Sequence, residues 1–297
     1  MSAVVYKNIA VIGTHKNPKV AETVLELIIL LNQWGLNVFL EKETALSLPG
    51  GTSQYEVLSL EALSHHCDCG VVVGGDGNLL RAGRAFSLSG KPIIGVNRGQ
   101  LGYLTDIAPE KLELELKQIL IGRRQVEQRF LIEGEIERNG EIIHLGSALN
   151  DIVLFPGEIA QMIEFELKIN QTFVYSQRSD GLIISTPTGS TAYSLSAGGP
   201  ILQPDMEALI LVPMFPHTLT ARPVVIDAHS EIEILISEDN KTAPRLSYDG
   251  QSHLDLSLGD KIKIKQQVKR LSLLHPESYD YYSVLRSKLQ WGTQLVR

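Results

Sequence analysis

Residues 69–78, Cys-Gly-Val-Val-Val-Gly-Gly-Asp-Gly-Asn, set one carboxylate, Asp76, among three glycines at the end of a short apolar run. The run is rich in β-branched residues, the composition of a buried strand. The residues behind it, Leu79-Leu-Arg-Ala-Gly-Arg-Ala-Phe86, read as a helix. Glycine lets backbone N–H groups approach a ligand closely, and a helix N-terminus favours negative charge. Gly74, Gly75, Gly77 and Asn78 therefore make a phosphate cradle. A carboxylate there repels phosphate unless it serves a metal ion or moves a proton, which points to phosphoryl transfer rather than plain nucleotide binding. The same residues also suit a structural Asp-Gly turn. A dinucleotide fingerprint would need a third glycine at position 80, where Leu80 stands.

Three other segments carry chemistry. Asn150-Asp151 precedes the apolar run Ile152-Val-Leu-Phe155. A carboxylate and an amide side by side can grip a ribose diol, and the same pair also suits a turn into a strand. Ser179-Asp-Gly-Leu-Ile-Ile-Ser-Thr-Pro-Thr-Gly-Ser-Thr-Ala-Tyr193 reads as a strand, a hydroxyl-rich turn and a helix start. Six hydroxyl side chains between Ser185 and Tyr193 are more than a turn needs, and suit the hydroxyls and adenine edge of a nucleoside. His65-His-Cys-Asp-Cys69 has metal-ligand residue types, and on a strand Cys67 and Cys69 face one side. A structural zinc site needs two more ligands from a second cluster and none occurs, so no protein-held metal is expected. Tyr248-Asp-Gly-Gln251 reads as a hairpin tip, and His217, His229 and His253 stand apart. A Walker loop, a kinase His-Arg-Asp loop and a Gly-x-Ser-x-Gly elbow are absent.

The elements that must position these residues change character midway. In the first part, Ile9–Ile12 is a strand with a turn at Gly13-Thr14. Val20, Val24, Leu27, Ile28 and Leu31 recur at helical spacing up to Gly35. Strands at 37–40 and 93–96, a breaker-rich loop at 48–53, and a helix carrying Leu112, Leu116, Ile119 and Leu120 complete an alternation that implies a parallel sheet. From about Gln125 the period becomes two. Asn139-Gly140 signals a hairpin, and Ile163, Phe165, Leu167 and Ile169 alternate with polar residues. Further strand-like runs follow at 209–211, 224–226, 231–236 and 261–265. The one helix expected in this part is short, near Ser194, and 281–291 is helical again. The fold class expected is α/β plus all-β, divided as 1–124, 125–275 and a C-terminal helix, 276–297, returning to the first domain.

Composition narrows the partners. With 297 residues, 43% hydrophobic and 21% charged, the chain is globular, with no apolar run long enough to span a bilayer. A formal net charge of −7 argues against nucleic acid. Two cysteines, and no basic segment followed by an apolar one at the start, point to the cytoplasm.

Taken together, Gly74-Gly-Asp-Gly-Asn78, Asn97-Arg-Gly-Gln-Leu-Gly-Tyr-Leu104, Asn150-Asp151 and the stretch from Ser179 to Pro200 resemble the NAD kinases of bacterial type. The resemblance runs from about Ile9 to Trp291. The first motif is shared with diacylglycerol and sphingosine kinases, whereas the long one is far more specific. The resemblance implies a Rossmann-like N-terminal domain, a β-sandwich-like C-terminal domain and a site in the cleft between them. It implies transfer of the γ-phosphoryl of ATP, with Mg²⁺ arriving on the nucleotide, to the 2′-hydroxyl of the adenosine ribose of NAD. Asp76 would accept the hydroxyl proton and Gly77 would face phosphate, with Arg81 also binding substrate. Asn150 and Asp151 would hold a ribose, and Arg178 and Asp180 would flank the substrate. Thr191, Ala192, Tyr193, Ser194, Leu195 and Ser196 would line the nucleoside pocket, with Gln251 closing it from the other domain or a neighbouring subunit. Homodimers or homotetramers are implied. The chain departs from the pattern at Asn78, where many relatives have Thr, at Asp151, where Glu is frequent, and at Gln161, where some have His. A lipid kinase would need an apolar groove, which the polar 185–193 turn does not offer. A non-catalytic dinucleotide sensor would gain nothing from Asp76 beside phosphate.

Overall fold

The computed structural model describes residues 5–13, 17–48, 52–98, 102–158 and 161–292. Thr14, Pro49 to Gly51 of the predicted loop, and Gly99 to Leu101 of the long motif lie outside the described residues. The chain divides into two compact units, Met1–Gln128 with Leu271–Arg297, and Arg129–Arg270.

The first unit alternates strands and helices: β1 (Asn8–Ile12), α1 (Pro18–Gln33), β2 (Asn37–Glu41), α2 (Lys42–Ala45), β3 (Glu56–Leu58), α3 (Leu60–His66), β4 (Cys69–Gly74), α4 (Asp76–Ser89), β5 (Ile93–Asn97) and α5 (Leu112–Leu120). The strands lie parallel in the order β3-β2-β1-β4-β5. Both faces of the sheet are covered, so its strands read as continuous apolar runs. Val71 and Val73 join the core formed with α1 and α5, while Val72 is equally buried on the opposite face. Helix α1 begins where Asn17 accepts the amide of Lys19 at 3.0 Å and Pro18 occupies the first turn.

The second unit follows with β6 (Gln125–Arg138), β7 (Glu141–Ala148), β8 (Asp151–Phe155), β9 (Ile163–Ile169), β10 (Thr172–Ser179), β11 (Gly181–Ser185), α6 (Tyr193–Ser196), β12 (Ala208–Met214), β13 (Val224–Asp227), β14 (Ile232–Ile236), β15 (Arg245–Tyr248), β16 (Ser252–Asp255) and β17 (Lys261–His275). The chain passes between units within β6 and within β17, and α7 (Tyr281–Leu289) belongs to the first unit. The predicted hairpin joins β6 and β7, with Asn139 and Gly140 at φ 53° and 83°, the left-handed pair that such a turn requires.

One antiparallel sheet runs β10-β9-β14-β17, with β6 pairing β17 and β7; the other runs β13-β12-β11-β8-β15-β16. Their inner faces share one core. Ile152, Leu154, Leu182, Ile184 and Leu246 come from the second sheet, and Phe165, Leu167, Ile234 and Ile262 from the first. The alternate residues of the second sheet, Val153, Ile183, Ile210 and Val212, form a smaller core on its outer face with Leu202. Val153 of that outer face lines a cavity.

One sequence expectation is corrected here. His65 and His66 finish α3, which starts where Ser59 Oγ accepts the amide of Ala62 at 3.2 Å. Cys67 is its C-cap, so only Cys69 stands on a strand and the two thiols do not share a strand face. Burial, then the nearby Asp68 and Glu56 carboxylates, push the Cys67 thiol up to about 12, and burial raises Cys69 as well.

Candidate active site

The first cluster is built at the end of β4. Gly75 is the N-cap of α4 and Asp76 its first residue, so the helix N-terminus points into the glycine turn as predicted. The Asp76 carboxylate does more than the sequence suggests. Its Oδ2 accepts the amide of Tyr103 at 2.8 Å. Its Oδ1 accepts the amides of Leu104 and Thr105 at 3.1 and 3.3 Å, and the Thr105 hydroxyl at 3.4 Å. Asp76 thus ties the turn to the tail of the long motif. Gly102 is glycine for the same reason: a Cβ there would collide with Asp76 Oδ1 and Thr105 Oγ1. Asn78 reaches back to the Val73 carbonyl at 3.5 Å, and the Arg98 amide bonds Gly74 O at 3.0 Å.

Arg81, one turn further along α4, forms a two-pronged ion pair with buried Glu41, whose Oε2 also accepts the Thr44 hydroxyl at 3.0 Å. A second carboxylate, Glu43, lies 3.8 Å away. The guanidinium is thereby fastened to the β2–α2 junction.

The second cluster is a cavity of about 370 Å³ in the second unit, lined by Asn150, Asp151, Val153, Phe155, Ala192, Tyr193, Ser247, Asp249, Gly250 and His253. Strand alternation builds its floor. Asp151, Val153 and Phe155 are successive outward residues of β8; Ser247 sits opposite Val153 on β15, and His253 opposite Ser247 on β16. The hairpin tip between β15 and β16, with Asp249 and Gly250 at φ 53° and 64°, forms one wall.

Asp249 is the residue the sequence reading missed. Its carboxylate accepts the amides of Leu149 at 3.1 Å, Asn150 at 2.7 Å and Asp151 at 3.3 Å, so it shapes the Asn150-Asp151 turn. Burial first, then the Asp249 charge, raise the Asp151 carboxyl to about 7. Asn150 Oδ1, Ser194 Oγ and Ser247 Oγ are buried without a hydrogen-bond partner. Buried polar atoms of that kind carry a desolvation cost that a bound polar ligand would remove.

The hydroxyls of residues 185–191 bond the protein's own backbone and side chains. Ser185 donates to the Thr186 carbonyl at 3.0 Å, Thr186 bonds the Leu149 carbonyl and the Gly189 amide, and Thr188 accepts from buried Arg129 at 3.2 Å. Ser190 donates to Pro187 O at 2.6 Å and accepts the Leu202 amide at 3.0 Å; Thr191 donates to Thr188 O at 3.4 Å. They fasten a loop that crosses a buried sheet face, where every backbone group needs a partner. Of the six hydroxyl side chains, only Tyr193 is among the cavity-lining residues. Ser196 and Tyr193 border a second recess of about 640 Å³ with Met214, Phe215 and Arg222. Arg178, Asp180 and Gln251 are not among the described lining residues of the first cavity: Arg178 is exposed near the end of β10, Asp180 half-buried just after it, and Gln251 exposed beyond the hairpin tip.

Residues 9–124 match the family model of the ATP-NAD kinase N-terminal domain, and residues 149–275 that of the ATP-NAD kinase C-terminal domain. The chain belongs to the NAD kinase family. NAD kinases of Marinobacter nauticus and Pseudomonas fluorescens SBW25 are each 48% identical to it, over 98% of this chain and 98% and 97% of theirs. Among solved structures, an Archaeoglobus fulgidus NAD kinase in complex with ATP is 27% identical with a TM-score of 0.73, over 95% of this chain and 98% of that one. A yeast NADH kinase complexed with NADH is 23% identical with a TM-score of 0.87, over 98% and 90%, which speaks for the fold. As an NAD kinase family member, the chain carries Asp76 within the N-terminal family match, and Asn150, Asp151, Tyr193 and Asp249 within the C-terminal one. A signal for Asp249 did exist in the sequence: an Asp-Gly pair at a tip leaves a carboxylate free to cap another segment, but nothing local names segment 149–151.

Proposed function

We propose that this chain transfers the γ-phosphoryl group of ATP to the 2′-hydroxyl of the adenosine ribose of NAD, making NADP. The carrying observation is the carboxylate of Asp76 at the glycine turn. Of about four lone-pair positions on a carboxylate, three donors crowd Oδ1 while Oδ2 accepts one amide. Oδ2 has room for the ribose hydroxyl and would take its proton as the oxygen attacks phosphorus. A positioned base of this kind contributes roughly 10²–10⁴-fold. Gly74, Gly75, Gly77 and Asn78 with the α4 N-terminus would hold donor phosphates. Mg²⁺ would enter with ATP and neutralise phosphate charge, since it binds through substrate phosphates and few carboxylates. Among the described residues no group of three or more His, Cys, Asp or Glu side chains is arranged to hold a metal ion.

In the second unit, Asn150 and Asp151 would hold a ribose, with Ala192, Tyr193, Ser194 and Ser196 along the nucleoside and Thr191 and Leu195 supporting their turn. Arg178, Asp180 and Gln251 would contact substrate, and Arg81 would steady α4 through Glu41. Exposed apolar residues Phe173, Val174, Phe215, Leu219, Val224 and Val225 support assembly as a homodimer or homotetramer. Two free thiols support a reducing cytoplasm. No helix among the described residues is long and apolar enough to cross a membrane.

The test is purified protein with ATP, Mg²⁺ and NAD, with NADP read out by an NADP-specific dehydrogenase. NADP formation that collapses in Asp76→Asn, while calorimetric NAD binding persists, supports the reading. NAD binding without turnover in the wild type would turn it into a dinucleotide sensor.

A further inference from the structure

The residues that grip Asp76 are 103–105, and the next residue is Asp106. Asp106 Oδ2 lies 3.0 Å from Nδ1 of His275 at the end of β17. The other ring nitrogen, Nε2, lies 3.2 Å from Glu127 Oε2. The imidazole is 2% exposed and stacks on Tyr279, with ring centroids 4.0 Å apart and planes 13° apart. A neutral imidazole can give its one N–H to Asp106 at Nδ1; the imidazolium also presents its charge to Glu127, whose Oε2 stands at ion-pair distance from Nε2 but outside hydrogen-bond geometry. Burial opposes that charge, but Asp106 and Glu127 outweigh it and the His275 pKa is raised. Asp106 also acts on Glu115 of α5, which burial and then Asp106 raise against the lowering pull of Lys111 at 3.8 Å. The C-terminal segment touches the same loop a second time, where Lys288 Nζ of α7 sits 5.4 Å from the Tyr103 ring centroid. Beyond Asp106 the chain is anchored by the Asn97 amide to Ile107 O at 2.9 Å. Asp106 is thus the side-chain hold on a short span between that anchor and the amides on Asp76.

We propose that His275 is a positioning residue: held between Asp106 and Glu127, it fixes the 103–106 main chain whose amides orient Asp76. The catalytic consequence rests on the reading of Asp76 given above; the structural one does not. Because the pKa of His275 is raised, the clamp is complete below the ordinary histidine pKa and is lost as pH rises through the raised value.

His275→Gln, Asp106→Asn and the double variant, each in the full chain, test this by hydrogen exchange at the amides of 103–105 and by kcat and KM across pH. In either single variant, exchange at 103–105 is expected to accelerate about tenfold or more while the strands of the first unit keep their protection. The kcat is expected to fall ~10–100-fold, the scale of a small misplacement of a reacting group, with KM for NAD within about twofold. The kcat of the wild type is expected to fall on the alkaline side and that of His275→Gln to lack this fall, and the double variant should lose no more than the worse single one. Unchanged exchange at 103–105 overturns the proposal. So does faster exchange spread through the whole unit with kcat per folded molecule intact, the mark of a merely structural role. If His275→Gln does not fold, Asp106→Asn carries the same comparison. Wild-type protein that makes no NADP defeats the functional reading and leaves the exchange result to decide the clamp.

Discussion

Asp249 accepts the backbone amide of Asp151 at 3.3 Å while its charge faces the Asp151 carboxyl, so one side chain both builds the turn and resists ionisation within it. The folded state therefore holds the Asp151 proton up to about pH 7, against an ordinary carboxylate value of 3.8. At this group the native state binds more protons than the unfolded one over this window, so the Asp151 contribution to stability is full below about pH 4 and is lost as pH rises to about 7. The loss attributable to Asp151 is at most ~4 kcal/mol. Asp151→Asn should flatten this slope, measured as Tm against pH, and Asp249→Asn should move it to lower pH.

Gly102→Ala forces a Cβ against Asp76 Oδ1 and Thr105 Oγ1. The 102–105 loop must move, carrying the amides off Asp76. Turnover should fall about tenfold or more, with a stability change of only ~1–2 kcal/mol. Steady-state kinetics beside a thermal melt separate the two effects.

Ser190→Ala removes a buried hydroxyl that bonds Pro187 O and the Leu202 amide. Losing these bonds from a buried hydroxyl should cost about 1–3 kcal/mol of stability. Tyr193→Ala, at an exposed cavity-lining residue, should leave Tm nearly unchanged and weaken NAD binding instead. Equal stability losses in both variants would remove the distinction between loop fastener and ligand wall.

Asn150→Ala takes away a buried, unpartnered Oδ1. The unliganded protein should lose little stability, because no bond is broken there. NAD affinity should drop by about tenfold or more, the worth of a hydrogen bond in a desolvated site, read by calorimetry. A variant that binds NAD as well as the wild type would show that Asn150 Oδ1 does not meet the ligand.

Much of this was legible in the chain itself. The strand–glycine turn–helix around Asp76, the helical stripe from Val20 to Leu31, the Asn139-Gly140 hairpin and the change of period near Gln125 depend on local chemistry: backbone freedom, residue spacing and side-chain shape. The short elements β3, α2 and α3 were not, since three to seven residues carry too little periodicity, and Cys67, the C-cap of α3, reads from the sequence as part of the following strand. The hydroxyl-rich turn stands out in the sequence, but its bonds to the protein's own backbone do not, because density of polar atoms does not say which of them the backbone will take.

What only the tertiary structure decided is which distant groups meet. Asp249 caps residues 98–100 positions earlier, Asp76 collects amides 27–29 positions later, and His275 finds Asp106 across 169 positions. No local pattern encodes such pairings, since they arise when packed strands bring their ends together. The chain by itself determined that a carboxylate would stand in a phosphate turn; the fold decided what holds that carboxylate still, and which buried acid keeps its proton.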